Sequence, residues 1–77
     1  MKPQRYYSGE NIHAGDLVRF AEVPSIIVFV TDSGEYSPGF SAADWDHLST
    51  GFMIRQENGA LVYLNEVNED LVFVRRP

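Results

Sequence analysis

The side chains of this chain that could do chemistry are few, and their spacing is poor for it. There is no cysteine, which excludes thiolate nucleophiles, disulfides and cysteine-bound zinc. His13 and His47 stand far apart, with no third nitrogen or thiolate ligand at a useful spacing, so they read as surface histidines. A serine nucleophile needs a base held by a third group, and the chain has no Gly-x-Ser-x-Gly elbow; its one lysine, Lys2, lies at the N-terminus. Asp44 and Asp46 are two positions apart, and on a helical turn they would point in different directions. The densest oxygen cluster is Glu66, Glu69 and Asp70 with Asn65 and Asn68. It lacks the Asp-x-Asp-x-Asp-Gly spacing of an EF-hand loop and reads as a solvated turn. No Gly-rich phosphate loop is present either. The residues therefore point to a protein that is not an enzyme, has no metal or cofactor, and works by binding.

Charge and aromatic placement say what it could bind. The formal net charge is −5, but from Asp32 to Asp70 eight acids stand against Arg55 alone, −7 within that segment. The first 31 residues balance, and Arg75 with Arg76 makes the C-terminal end basic. Nucleic-acid affinity rests on phosphate neutralisation, so most of this surface would repel a polyanion, and a basic protein is the natural complement. The plainer alternative is that the acidic charge only keeps a small protein soluble. Tyr36, Phe40 and Trp45 fall in the same acidic stretch. An aromatic beside carboxylates is the composition of an interface anchor or a methyl-lysine cage, although Trp45 could equally plug one end of a barrel. The candidate partner-binding residues are Tyr36, Asp44, Trp45, Asp46, Glu66, Glu69 and Asp70.

These residues must be positioned by a thin framework. A chain of 77 residues is one domain, and at this size it buries only about 60 to 65% of the surface its unfolded form exposes. Five apolar runs bounded by Gly, Pro, Asn and Asp predict five short strands. They are Asp16 to Glu22, with Val18 and Phe20 on one face; Ile26 to Thr31, apolar on both faces; Phe52 to Arg55; Ala60 to Leu64 after an Asn58-Gly59 hairpin turn; and Leu71 to Val74. Phe20, Phe29, Phe52 and Phe73 are expected in the core. The stretch from Tyr36 to Gly51 predicts a long loop carrying a short helical turn, capped by Ser41 and stopped at Gly51. So short an all-β chain protects its edges best by curling. The expected fold is a small five-stranded SH3-like barrel over residues 11–77 behind an N-terminal arm over 1–10, with an OB-like barrel as the competitor. No apolar run follows the first charged residues, and none is long enough to span a bilayer, so a cytoplasmic protein is expected. Self-association as a homodimer stays open as a source of extra stability.

The order of motifs adds a resemblance. Gly15-Asp16-Leu17-Val18 followed by Pro24-Ser25-Ile26-Ile27-Val28-Phe29-Val30 resembles the opening of SH3-like barrels of the KOW and Tudor type. With Asp44 to Ile54, Gly59 to Leu64 and Glu69 to Arg75, the chain resembles small bacterial proteins that accompany polymorphic toxins of the Rhs and type VI secretion kind as immunity proteins. That resemblance implies neutralisation of a cognate basic toxin domain by direct binding, but carries over no functional residue. A Tudor-like or KOW-like RNA-associated barrel is the alternative, and the chain lacks the basic loops an RNA-binding barrel would show.

Overall fold

A computed structural model of the chain describes residues 5–31, 33–40 and 51–76. They form six strands: β1 (Leu17–Phe20), β2 (Val23–Val30), β3 (Glu35–Tyr36), β4 (Phe52–Gln56), β5 (Leu61–Leu64) and β6 (Leu71–Arg75). All pairings are antiparallel, in the order β5-β4-β2-β1-β6, with β3 also paired to β2. The protein is therefore all-β, as expected. It differs from the expected five-stranded barrel in having a sixth short strand and a sheet path with two ends, because no pairing joins β5 to β6 among the described residues. The expected helical turn, with Asp44, Trp45, Asp46 and His47, lies outside the described residues. Among the described residues, no helix is long and apolar enough to cross a membrane.

β2 organises the sheet. Eight residues long, it pairs with β1 through its first half, β3 through its last two residues, and β4 along the other side. It begins at Val23, three positions before the run of β-branched residues, because Pro24 does not break it. Pro24 pairs with Arg19 and lies one step beyond the last β2–β4 pair, Ser25 with Gln56, where its carbonyl still accepts from Glu57 N–H at 3.0 Å. A bulge between Ile27 and Phe29 turns Val28 and Phe29 to the same side of the sheet. Ile27 and Val30 face the main core with Tyr6, Ile12, Val18, Phe52, Ile54 and Leu71, while Phe20 and Phe73 pack half-buried against it. Val28, Phe29 and Met53 form a second cluster on the outer face, covered in part by Tyr36, Phe40 and Tyr63. Both faces of β2 are thus covered at its C-terminal half.

The turns explain the register. Gln56 and Ala60 close the β4–β5 hairpin around Glu57-Asn58-Gly59; Gly59 N–H donates to the Gln56 carbonyl at 2.8 Å and adopts φ 89°. A three-residue loop of this kind needs glycine in that left-handed position. Within the N-terminal segment Tyr6 is buried and Arg5 bridges to Asn11.

Candidate functional site

Among the described residues, the best-built polar cluster is centred on Asp16, whose side chain is sealed from solvent. Gly15 at φ 94° turns the chain before it, and the segment is clamped to β2 by Gly15 N–H donating to the Ile27 carbonyl and Ile27 N–H to the Asp16 carbonyl. The carboxylate accepts from the Tyr6 hydroxyl at 2.7 Å, the His13 N–H at 3.0 Å, and Arg76 through Nε at 2.8 Å and Nη2 at 3.2 Å. Arg76 also donates to the Asn11 carbonyl and lies over the Phe73 ring. Burial pushes the Asp16 carboxyl up, but hydrogen bonds from Arg76, His13 and Tyr6 outweigh it and hold the group below its ordinary value. Burial, and then the bond to Asp16, push the Tyr6 phenol far above its usual range, so Tyr6 stays a donor. The cluster joins the N-terminal arm, the turn before β1 and the segment after β6. A carboxylate with no accessible surface cannot meet a substrate, and its work is structural.

His13 and Glu35 form a smaller, half-exposed pair. His13 Nδ1 lies 2.9 Å from Glu35 Oε2, and Glu35 also accepts from Ala14 N–H and the Ser33 hydroxyl. Burial raises the Glu35 carboxyl, yet the bonds from His13, Ser33 and Ala14 hold it low. This pair fastens β3 to the turn before β1. Among the described residues, no group of three His, Asp or Glu side chains could hold a metal ion.

The sequence-predicted binding residues do not gather into one site. Tyr36 pairs with Phe29 at the far end of β2, its ring stacked on Phe29 at 5.3 Å between centroids. Phe40 packs on Phe29 as well, at 6.0 Å. Glu69 and Asp70 are exposed at the opposite end, where Ala21 N–H donates to the Asp70 carbonyl at 3.1 Å. Those two ends are roughly 20 Å apart, six residues of strand at about 3.3 Å each. Glu66 is exposed just beyond β5, and Asp44, Trp45 and Asp46 lie outside the described residues.

At the Glu69–Asp70 end the structure instead recruits Glu22, which sequence reasoning missed. A cleft of about 260 Å³ is lined by Arg19, Ala21, Glu22, Glu69, Asp70 and Val72. Two features shape it. The acidic turn is held by Asn68, whose side-chain oxygen accepts from Asp70 N–H at 2.9 Å. The β1–β2 connection is a two-residue turn with both central residues left-handed, Ala21 at φ 51° and Glu22 at φ 68°. Such turns favour Asn-Gly, and alanine and glutamate are strained in them. The signal for Glu22 was its place between two strands, but only the β1–β6 pairing shows that it meets Glu69 and Asp70.

No family model matches this chain, and neither a curated protein nor a solved structure does.

Proposed function

We propose that this protein is a non-catalytic binding domain that meets a basic partner protein through the notch formed by Glu22, Glu69 and Asp70. The observation that carries the proposal is the convergence of three exposed carboxylates, from turns 47 residues apart in sequence, around one cleft. Exposed carboxylates at a rim attract and orient a basic partner. The sealing of Asp16 supports the same reading, because the strongest polar cluster among the described residues is spent on holding the fold.

Neutralisation of a basic toxin domain in the cytoplasm is the specific form that the sequence resemblance suggests. The strand order β5-β4-β2-β1-β6, with the first and last long strands adjacent, supports an SH3-like barrel left open between β5 and β6. The Tudor-like alternative is weakened by Tyr36 and Phe40, whose rings are committed to packing on Phe29.

The test is co-expression with the product of the adjacent gene in the native host, followed by binding kinetics for the wild type and for Glu22→Lys, Glu69→Lys and Asp70→Lys combined. A basic partner whose association slows at least about tenfold in the triple variant is expected. Unchanged association and salt dependence, with the fold intact by circular dichroism, would remove the notch from the interface.

A further inference from the structure

The outer face of the sheet carries a second surface of the opposite charge. Register places Leu17 opposite Ile26, Ile26 opposite Arg55, and Arg55 opposite Leu61. Directly opposed residues of neighbouring strands share a face, so these side chains form one row across the sheet. On the other side of Leu17 the β1–β6 ladder is bulged, Leu17 pairing with Arg75 and Val18 with Phe73. The extra residue is Val74, and the bulge sets Val74 and Arg75 together against Leu17 on this outer face. The row thus runs Arg75, Leu17, Ile26, Arg55, Leu61 and touches all five strands of the sheet path. Arg19 stands one step along, between Val72 and Pro24.

This row is open. Val72 and Val74 are 52% and 50% exposed, Leu61 is 47% exposed, and Arg19, Arg55 and Arg75 are exposed. A groove of about 420 Å³ lies along the row, lined by Leu17, Pro24, Ile26, Arg55 and Glu57. Among the described residues no carboxylate lies within 4.0 Å of Arg19, Arg55 or Arg75, whereas Arg76 is matched to Asp16. In a chain of net charge −5, arginines exposed on an apolar face with no carboxylate in ion-pair contact are open to anionic groups from elsewhere.

We propose that this face docks an extended acidic segment of a partner protein, with the pattern acid, any residue, apolar, any residue, acid. The spacing argument is direct. Arg75 and Arg55 are three strand positions apart, roughly 14 Å at about 4.8 Å per strand, and four residues of extended chain span about 13 Å. Carboxylates at positions one and five of such a segment reach the two arginines, and the side chain at position three, on the same face, meets Leu17 and Ile26. A nucleic acid fits less well, because Glu22, Glu57, Glu69 and Asp70 flank the row and would repel a polyanion longer than it. A second copy fits less well too. Only Glu66 and Asp70 in this chain have the four-residue spacing, and Asn68, not an apolar residue, stands between them. The proposal stands independently of the acidic notch.

A fluorescein-labelled peptide Gly-Glu-Ser-Val-Ser-Glu-Gly, titrated with the full chain and read by anisotropy, tests it. Saturable binding is expected, weakened about tenfold by Arg55→Ala with Arg75→Ala. Binding should also weaken when both glutamates of the peptide become glutamine, or when they are set two residues apart. Arg55→Lys with Arg75→Lys should keep part of the affinity, and melting curves confirm that each variant is folded. Equal binding of the glutamine peptide, or affinity unchanged in the double alanine variant, would overturn the proposal. So would tighter binding of a single-stranded oligonucleotide, or sedimentation showing a homodimer that the double alanine variant abolishes.

Discussion

Replacing Asp16 with alanine removes the acceptor of four hydrogen bonds at a site with no access to water. The loss is not uniform across the donors. The Arg76 side chain is 44% exposed and can turn to solvent, so its stranded charge costs little of the full penalty for breaking a buried pair. Tyr6 is 2% exposed, and its hydroxyl, with the His13 N–H, would be left without a partner, at about 1 to 3 kcal/mol each. The expected cost is about 3 to 4 kcal/mol, close to the roughly 3 to 5 kcal/mol that a single core of this size supplies. Tyr6→Phe removes one donor and leaves Asp16 its other three hydrogen bonds, so it should cost only about 1 to 2 kcal/mol. Urea unfolding followed by circular dichroism measures both. The Asp16 carboxylate also carries a pH signature. The folded Asp16 carboxyl lies below its ordinary value of 3.8, so its contribution is fully present above that value and is lost as pH falls through the folded one. Wild-type stability should therefore fall below about pH 4 more steeply than that of Asp16→Asn. An Asp16→Ala midpoint equal to wild type, or a Tyr6→Phe loss larger than the Asp16→Ala loss, would refute the reasoning.

Three further outcomes follow from single positions. Gly51→Ala should cost at least about 2 kcal/mol, because Gly51 sits at φ 125° and an added Cβ would meet the Leu64 carbonyl oxygen and come within 2.8 Å of Asn65 Cα; thermal melting reads it, and an unchanged melting temperature counts against the packing described. Ala21→Asn with Glu22→Gly should stabilise the fold by about 1 to 2 kcal/mol and so raise the urea midpoint, since both left-handed residues would then suit the turn; a lower midpoint would mean the turn differs. Phe29→Ala empties a fully buried position on which Tyr36 and Phe40 pack, and at about 3 to 5 kcal/mol it should leave the chain largely unfolded by circular dichroism.

The strands were legible because they rest on local pattern. The alternation around Val18 and Phe20, the apolar run from Ile26 and the Asn58-Gly59 turn each sit within a few residues, and each corresponds to an observed element. β3 was not legible. Glu35–Tyr36 is too short to show a period, and what holds it is Glu35 accepting bonds from His13 and Ala14, some twenty residues back. Pro24 misled in the opposite direction, since proline reads as a strand boundary until the pairing shows that its missing N–H faces past the end of β4. The network around Asp16 was hidden for the same reason as β3. A Gly-Asp turn signals a loop, and nothing local says that Arg76, sixty residues on, will return to neutralise it.

The binding surfaces show why charge counted along the chain misplaces a site. The acids between Asp32 and Asp70 look continuous in sequence, yet strand pairing separates them, leaving Tyr36 and Glu69 at opposite ends of β2. The same pairing concentrates the few bases. Arg19, Arg55 and Arg75 come from three strands, and each taken alone is an ordinary exposed residue at a strand position. Two properties of the ladder make them a surface: residues opposed in register share a face, and the bulge at Leu17 brings Arg75 onto that face. Regular pairing without the bulge would set Val74 opposite Leu17 and return Arg75 to the side of Phe73, breaking the row. The charge pattern of this protein is therefore set by one irregularity in β6 as much as by composition.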